Sequence, residues 1–384
     1  MLMWTVHLEG GPRRVNHAAV VVGEKIYTFG GYCTGEDYES RLPIDVHVLN
    51  TISLRWKLLH SPETLDSSIP YQRYGHTAVA YGDCAYIWGG RNDSDGACNI
   101  LFCFVTVSET WSQVETQGWT PGKRDGHSAC VINHAMYIFG GYEEVVDRFS
   151  DDVFRFEFST KTWTLLETKG PRARWRDFHT AVGIGNTMYV FGGRSDMGGN
   201  LFTNMEMYCD SVHMFDTVTC TWQTAISRGF RPTGRRSHSA FTHNNCIYIF
   251  GGYNGYHDVH FKEVFKYDTE CHYWSYLAVP GEGPCARRRQ CSCKINSKVY
   301  IFGGTSPTIT HRGNADNLDE EERVVLTDLA DLHILDLDPS LKTLAQMAVL
   351  KYRLDTSSLP HDIRWELSAM TTPNAISRPI NSNG

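Results

Sequence analysis

The sequence predicts an all-β fold built from six copies of one four-stranded unit, followed by a short helical segment. Three observations support this prediction: a repeated motif, a repeated series of short strands and a repeated tryptophan. Each motif has an arginine, a histidine three residues later, and a glycine pair that begins thirteen residues after the histidine. The motifs lie 51 to 59 residues apart, a period typical of repeat architectures, and begin at Arg14, Arg73, Arg124, Arg176, Arg235 and Arg287. In the sixth copy Gln290 replaces the histidine.

The strands of each unit follow in a fixed order. A strand of small residues follows the histidine, as at His17, and a turn with glycine or asparagine, such as Gly23, leads to a second strand that ends in the glycine pair. A third strand alternates polar and apolar residues, as in Val264–Asp268. The fourth strand carries a tryptophan in five copies, at Trp56, Trp111, Trp163, Trp222 and Trp274.

This unit resembles the kelch repeat, a β-propeller blade of about 50 residues. The resemblance covers roughly residues 1–340 and implies a six-bladed kelch propeller at residues 1–338. The sixth copy lacks its own tryptophan, whereas Trp4 lies ten residues before Arg14, close to the spacing of the other copies. Because a propeller must close to remove its edge strands, we expect the N-terminus to supply the fourth strand of the last blade.

Composition limits the classes of function. A formal charge of −7 and a pI near 6.2 argue against nucleic acid as the main partner. No apolar run is long enough to span a membrane, and the first residues lack the basic region of a signal peptide. The twelve cysteines are therefore expected to stay reduced, with Cys291 and Cys293 as apolar filler. We predict no metal, no cofactor, and a cytoplasmic and nuclear location.

The repeated arginines and histidines are interpreted as scaffold, because residues found in every blade more often bridge neighbouring backbones than perform catalysis. No Gly-x-Ser-x-Gly, His-Glu-x-x-His or P-loop motif is present, and no cysteine has an evident catalytic partner. The sequence therefore predicts no catalytic residues. An enzyme acting on a small anionic substrate is the weakest of the functions considered.

Binding specificity is expected at positions that vary between copies, namely the two residues between the arginine and the histidine and the residue after the glycine pair. Guanidinium groups bind carboxylates in a forked geometry. The carboxylate-binding candidates are Arg194, Arg236, Ser237, Arg288 and Arg289. The candidates for pocket walls and upstream contacts are Tyr32, Tyr74, Arg91, Asp125, Tyr142, Asp177, Phe178 and Tyr253. Alternatively, the arginines pair with acidic loops such as Asp319–Glu322.

The repeat pattern stops after residue 338, and the next segment reads as two short helices. Apolar residues within Ser340–Tyr352 follow helical spacing, and Pro360 fits the start of a second helix. We assign residues 339–370 to this helical segment and residues 371–384 to a flexible C-terminal tail. The apolar stripe could also simply pack on the propeller.

The helical segment is similar to a bipartite box that binds elongin and cullin-2. Ser340, Leu341 and Leu344 match the first half, where Ala345 replaces the usual cysteine. The second half matches at Leu359, Pro360, Ile363 and Leu367. Following a kelch propeller, this box resembles the kelch-domain substrate receptors of cullin-2 ubiquitin ligases. The implied partners are elongin B, elongin C, and cullin-2 with its RING subunit.

The same resemblance implies that the propeller recognises C-terminal degrons ending in glycine. In a sister receptor, two arginines five residues apart and one serine form the site. Arg194 matches the first arginine, whereas Gly199 stands at the second and Arg236 at the serine. We therefore expect Arg236 or Arg288 to replace the missing guanidinium, and Asp125 or Asp177 to receive an upstream basic side chain.

Two alternatives remain open at the level of sequence. The chain itself ends in Gly384, which is either part of an unstructured tail or a mimic of the substrate that enters its own pocket or that of another copy. The whole protein is either the ligase receptor described above or a kelch interaction scaffold, such as a cytoskeletal or chromatin adaptor, without ligase coupling.

Overall fold

The computed structural model describes residues 2–36, 41–60, 65–312 and 321–376. Six antiparallel sheets of four main strands each follow the six sequence repeats, which confirms the predicted all-β propeller class. In each sheet the strand after the motif histidine is innermost, and the tryptophan strand lies on the far side. The order within each unit therefore matches the order predicted from sequence.

The bounds of the main strands are as follows. The first two sheets comprise Ala18–Val22, Lys25–Phe29, Val46–Asn50 and Arg55–Leu58, then Tyr74–Tyr81, Cys84–Asn92, Phe102–Val105 and Thr110–Gln113. The third and fourth comprise Ser128–Ile132, Ala135–Phe139, Val153–Glu157 and Thr162–Leu165, then Thr180–Ile184, Thr187–Phe191, His213–Asp216 and Thr221–Thr224. The fifth and sixth comprise Ser239–His243, Cys246–Phe250, Val264–Asp268 and Tyr273–Leu277, then Cys291–Ile295, Lys298–Phe302, Leu332–Asp336 and Met3–Leu8.

The N-terminal strand Met3–Leu8 completes the sixth sheet by pairing with Leu332–Asp336. Trp4 lies opposite Leu335 and is buried with Phe250 and Val299 between the fifth and sixth sheets. The position of Trp4 is thus equivalent to that of the tryptophans in the other blades. Because this strand occupies the outer edge of the sixth sheet, the two ends of the propeller sequence meet in one blade.

Short strands in the loops build the rims of the propeller. They are Gly96–Ala97, Gln117–Gly118, Arg124–Asp125, Tyr142–Glu143, Arg148–Phe149, Arg194–Asp196, Glu206–Tyr208, Arg228–Gly229, Tyr253–Asn254 and Val259–His260. A longer hairpin, Thr305–Arg312 with Glu321–Asp328, follows the glycine pair of the sixth blade. The sequence patterns did not predict this hairpin.

Six backbone hydrogen bonds form a closed ring around the propeller axis. Each N–H donates to the carbonyl of the equivalent residue in a neighbouring blade, at 2.7 to 3.1 Å. The ring residues are the second of the two between the motif arginine and histidine: Asn16, Gly75, Gly126, Phe178, Ser237 and Arg289. All six have a positive φ, between 49° and 68°. Hydrogen bonding around the ring holds this left-handed conformation, which is uncommon for phenylalanine, serine and arginine.

The motif histidines and arginines join backbones, as the scaffold interpretation predicts. The His76 Nε2 lies 3.0 Å from the Phe29 carbonyl of the preceding blade. The Arg176 Nη1 donates to the carbonyl of Gly192 in its own glycine pair at 2.8 Å. A Cβ on the next residue, Gly193, would lie 2.8 Å from the Cβ of His179, so this position requires glycine.

Two helices follow the propeller, α1 at Leu341–Tyr352 and α2 at His361–Thr371. The Ser340 hydroxyl caps α1 by accepting from the Thr343 N–H. Helix α2 lies against the N-terminal strand Met3–Leu8, and the segment after it continues along the propeller. No described helix is long and apolar enough to cross a membrane.

The described part of the C-terminal tail is held by hydrogen bonds. The backbone N–H groups of Asn374 and Ile376 donate to the carbonyls of Glu9 and Gly10. The Asn374 side chain accepts from the Trp56 N–H and donates to the Leu54 carbonyl, at 3.0 and 3.2 Å. The predicted flexible tail at 371–384 therefore begins with an ordered stretch as far as residue 376. Residues 377–384, including Gly384, lie outside the described residues.

Candidate functional site

The two variable slots of each blade lie opposite each other in the structure. The first slot residue and the residue after the glycine pair form an antiparallel bridge in every blade. The pairs are Val15 with Tyr32, Tyr74 with Arg91, Asp125 with Tyr142, Asp177 with Arg194, Arg236 with Tyr253, and Arg288 with Thr305. The candidate residues therefore share one end of the propeller, above the ring of backbone hydrogen bonds.

Three of the predicted arginines form a cluster on blades five and six, consisting of Arg236, Arg288 and Arg289. The guanidinium carbons of Arg288 and Arg236 lie 4.3 and 5.5 Å from the centre of the Tyr253 ring. Arg289 donates a hydrogen bond to the Tyr32 hydroxyl. The rings of Tyr253 and Tyr32 therefore pack against arginines that lie up to 53 positions apart in the sequence.

The arginine cluster carries more positive charge than Glu206, its one ion-pair partner among the described residues, can compensate. Arg288 makes no ion pair within the described part of the chain, and the buried Nε atoms of Arg236 and Arg288 have no hydrogen-bond partner there. Burial and repulsion from Arg289 and Arg236 lower the pKa of Arg288 to about 10. A buried arginine without an ion pair gains more free energy from binding an anion than an arginine that already has a carboxylate partner.

Arg194 differs from the cluster because it is already paired. It forms a forked interaction with Asp177, and its Nη1 lies 3.4 Å from Glu206 Oε1. Although burial lowers the pKa of Arg194, the charges of Asp177 and Glu206 raise it above the ordinary value. The structure therefore brings two predicted site residues, Arg194 and Asp177, into contact with each other. Acidic partners here come from within the pocket, whereas Asp319 and Glu320 of the proposed acidic loop lie outside the described residues.

Glu206 is a site residue that the sequence did not identify. Its Oε1 is within 3.4 Å of Arg194 and 3.6 Å of Arg236, so it joins blades four and five. Tyr208 donates a hydrogen bond to the other carboxylate oxygen. The only sequence signal was an acidic residue in the long connection after the fourth glycine pair, and such residues are common on surfaces.

Asp125 marks the acidic side of the same end of the propeller. Its side chain is buried, and a Cβ added at Gly75 would lie 3.3 Å from it. Burial and the neighbouring Asp177 raise the pKa of Asp125 to about 7, although Arg91 and Arg194 oppose the shift. Arg91 itself lies 3.6 Å from Glu144. The pocket is thus positive on blades five and six and acidic on blade three.

Aromatic side chains complete the walls. Tyr32 and Tyr74 meet edge to face with ring centres 5.3 Å apart, and with Phe178 and Arg289 they line a cavity of about 340 Å³. Tyr142 instead donates a hydrogen bond to Asp147 at the rim of blade three. The Ser237 side chain lies beside the central channel, next to His238. The predicted wall residues therefore divide between one cavity and the surrounding rim.

The helical segment presents a different arrangement of its candidate residues. Leu341 and Leu344 on α1 point away from the propeller and are 86% and 43% exposed. Leu359 and Ile363 are half-buried and Pro360 is exposed. Leu367 is only 5% exposed, so its side chain is buried inside the protein in this structure.

One group of possible metal ligands lies within the described residues, at His7, Asp331 and His333. The candidate ligand atoms lie within 4.8 Å of one another. Both oxygens of Asp331 already accept hydrogen bonds from Arg287 at 2.6 Å. This carboxylate is therefore committed to the scaffold of the sixth blade.

The blades, the channel and the variable rim define the class of protein: a kelch β-propeller, which is a protein-interaction domain. A family model described as the KLHDC2/KLHL20/DRC7 Kelch-repeats domain matches residues 75–304, and a kelch motif model matches residues 13–61. The chain belongs to the kelch-repeat family. No catalytic family is indicated by these matches.

Similarity to particular proteins extends along the whole chain. The sequence is 53% identical to Kelch domain-containing protein 3 of Rattus norvegicus and 52% identical to that of Homo sapiens, over 387 residues and 100% of each chain. Kelch domain-containing protein 10 of Xenopus tropicalis is 26% identical over 321 residues, which is 76% of this chain and 71% of that protein.

Proposed function

We propose that this protein is the substrate-recognition subunit of a cullin-2/elongin ubiquitin ligase and binds C-terminal degrons that end in glycine. The observation that carries the binding half of the proposal is the arginine cluster of Arg236, Arg288 and Arg289, in which only Arg236 has an ion pair, with Glu206, among the described residues. A peptide's terminal carboxylate is a planar anion that matches two parallel guanidinium N–H groups. Ubiquitin transfer itself belongs to the partner subunits.

Glycine specificity follows from the walls around the cluster. Tyr253 lies against Arg236 and Arg288, and Tyr32 and Phe178 line the same cavity as Arg289. A side chain on the last residue of a peptide would collide with these walls while its carboxylate reaches the arginines. Rejection of larger residues is therefore steric.

The acidic side of the pocket favours a basic residue upstream of the terminal glycine. Asp125 is buried on blade three without a direct ion pair among the described residues, and Asp177 is already engaged by Arg194. We therefore assign the upstream contact to Asp125 rather than Asp177. Substrate binding would ionise this carboxyl, because a nearby cation lowers its pKa.

Binding of the carboxylate is tested with paired peptides. A glycine-ended peptide with a free carboxylate should bind, and its amidated form should not, as measured by fluorescence anisotropy. Arg236→Ala or Arg288→Ala should each weaken binding about tenfold or more, because a charge-assisted hydrogen bond contributes roughly 1.5–3 kcal/mol. Arg194→Ala tests whether the paired arginine also contributes. Equal binding of the amidated peptide contradicts the proposal.

The matched control is Arg228→Ala, which removes an exposed arginine from a short outer strand of blade five. This variant should bind the peptide as the unchanged protein does. If Arg228→Ala weakens binding as much as Arg288→Ala, the attraction is a general effect of charge and not recognition at the arginine cluster.

The ligase half of the proposal is supported by the exposed face of α1. Leu341 and Leu344 are large apolar residues without cover, as a helix that docks on an adaptor requires. We propose elongin B and elongin C at α1, cullin-2 with its RING subunit near Leu359, Pro360 and Ile363, and action in the cytoplasm and nucleus. The alternative is an interaction scaffold without a ligase.

Co-purification separates these alternatives. The full chain should retain elongin C and cullin-2, and Leu341→Asp combined with Leu344→Asp should abolish their retention while peptide binding is unchanged. Leu354→Asp, at another exposed leucine beyond α1, is the control and should retain both partners. Absence of both partners from the unchanged protein favours the scaffold.

Gly384 remains a proposed mimic of the substrate, in its own pocket or in that of another copy. Deletion of Gly384 should then tighten binding of a glycine-ended peptide, because a competing end has been removed. Unchanged affinity contradicts this part of the proposal.

A further inference from the structure

A second cavity lies beside the arginine cluster, on blades four and five. Its volume is about 570 Å³, and we call it the side cleft. The apolar side chains that line it are Met197, Met207, Tyr208, Phe230, Pro232 and Tyr256. These residues come from the connections that follow the fourth and fifth glycine pairs and from the entry to blade five. No repeated scaffold residue takes part.

The apolar residues of the side cleft are unusually exposed for their type. Met197 is 59% exposed, Phe230 69% and Tyr256 76%. Leu201, Phe202 and Met205, in the same connection as Met197, are also exposed. Single exposed apolar residues are ordinary on protein surfaces, but a group around one concavity marks an interaction surface. Methionine suits such a surface because its flexible side chain adapts to different partners.

The side cleft shares a wall with the arginine cluster. Glu206 lies 3.6 Å from the Arg236 guanidinium on one side and lines the side cleft on the other. Its neighbour Tyr208, which donates a hydrogen bond to Glu206, also lines the side cleft. A peptide held at Arg236 by its carboxylate therefore has the side cleft as the adjoining concave surface.

We propose that the side cleft binds apolar side chains of the same peptide, upstream of the carboxylate held by the arginine cluster. This inference rests on the proposed function and extends it to the class of substrate. An extended chain advances about 3.3 Å per residue, so a peptide whose carboxylate is held at Arg236 reaches past Glu206 and Tyr208 into the side cleft within a few residues. Favoured substrates thus combine a glycine end with apolar residues a few positions before it.

The test uses two ten-residue peptides with the same last three residues. One carries leucine and phenylalanine upstream, and the other carries serine at those positions. The unchanged protein should bind the apolar peptide roughly tenfold more tightly. Met197→Ser combined with Tyr256→Ser should remove this difference and leave binding of the serine peptide unchanged. Persistence of the full difference in the double variant overturns the proposal.

The control is Val145→Ser combined with Val146→Ser, which changes two exposed apolar residues in the equivalent connection of blade three. This variant should keep the preference for the apolar peptide. Loss of the preference there would mean that general rim hydrophobicity, and not the side cleft, binds the upstream residues, which also overturns the proposal.

Two further measurements distinguish failure of the proposed function, failure of the side-cleft proposal, and occupation of the side cleft by a second copy of the chain. If neither peptide depends on a free carboxylate, the proposed function fails, whereas equal binding of both carboxylate peptides defeats only the side-cleft proposal. Light scattering of the double variant tests another occupant. A smaller molar mass than that of the unchanged protein, with peptide preference intact, would show that a second copy of this chain covers the side cleft.

Discussion

Gln290 shows how one position keeps its structural role after its residue type changes. Its Nε2 donates to the Ser239 hydroxyl at 2.8 Å and to the Phe250 carbonyl at 3.1 Å. The histidines use Nε2 for the same kind of contact, as between His179 and Ser128. An amide of similar reach therefore substitutes for imidazole beside Arg288 and Arg289, without a titratable group.

Replacement of Gln290 should lower stability. Gln290→Ala leaves two buried acceptors without their donor, and we expect a loss of about 1–3 kcal/mol in the free energy of unfolding. Gln290→His should retain most of the stability. Urea unfolding measures both, with Gln223→Ala, at an exposed glutamine on an outer strand, as the control. A loss in the control equal to that of Gln290→Ala would contradict the assigned contact.

Asp125 should make stability depend on pH in a defined window. The folded-state pKa of about 7 lies above the ordinary value of 3.8, so the folded protein binds the proton more tightly than the unfolded chain. Stability from this group is therefore fully present at about pH 4 and is lost as the pH rises to about 7. Asp125→Asn removes this dependence. Compared with the unchanged protein, the variant should therefore be more favoured in its free energy of unfolding at pH 8 than at pH 4.

The measurement compares urea unfolding of Asp125→Asn and the unchanged protein at both pH values. The difference isolates Asp125 from the buried histidines, such as His76, whose pKa burial lowers to about 3. Asp83→Asn, in an exposed turn, is the control for the change from a carboxyl to an amide. A constant difference for Asp125→Asn would contradict the raised pKa.

Among the structural elements, the segment after α2 attaches the two C-terminal helices to the propeller. Asn374 connects this segment to Glu9, Leu54 and Trp56, and Arg55 donates to the Thr372 carbonyl at 2.6 Å. These bonds tie α2 to blade one and to the loop after the N-terminal strand. The helices that would carry the adaptors are thereby held in a fixed position on the propeller.

Removal of the Asn374 side chain should loosen α2. Asn374→Ala leaves the Trp56 N–H and Leu54 carbonyl without partners, so amide exchange in α2 should accelerate about tenfold or more, following the loss of two hydrogen bonds. Arg364→Ala, at an exposed position on α2, should leave exchange unchanged. Unchanged exchange in Asn374→Ala would show that other contacts hold the helix.

At the scale of the whole molecule, the first and last segments of the described chain meet at the junction of blades six and one. The N-terminal strand covers the edge of the sixth sheet, and Asn374 and Ile376 bind the loop that follows this strand. An uncovered sheet edge would expose unpaired backbone groups to other chains. The sixth blade carries Arg288 and Arg289, so the structure around the arginine cluster depends on an N-terminal strand that is far from it in sequence.

Detachment of the N-terminal strand should cause self-association. Trp4→Glu places a charge among Phe250, Val299 and Leu335, so the strand should leave the sheet and expose the partner edge. Light scattering should then show oligomers, and the unfolding midpoint should fall. Trp4→Phe keeps an aromatic side chain at this position and should remain closer to the unchanged protein. A monomeric, stable Trp4→Glu protein would contradict the importance of this strand.

The sequence by itself determined the six blades, their strand order and the variable slots at one end. These features are periodic, because every blade must satisfy the same backbone contacts through arginine, histidine and paired glycines. Helix α1 was equally local and was also predicted, because its apolar residues follow helical spacing. Repetition made each of these signals readable without any knowledge of long-range contacts.

Only the tertiary structure decided how the slot residues combine. It paired Arg194 with Asp177, added Glu206, and left Arg288 without an ion pair among the described residues. It also turned Phe178, Ser237 and Arg289 into the left-handed conformation of the central ring. The physical reason is that many of these contacts join different blades. The distances and the charge balance between their side chains depend on how the blades close into a ring, and not on neighbouring residues in the sequence.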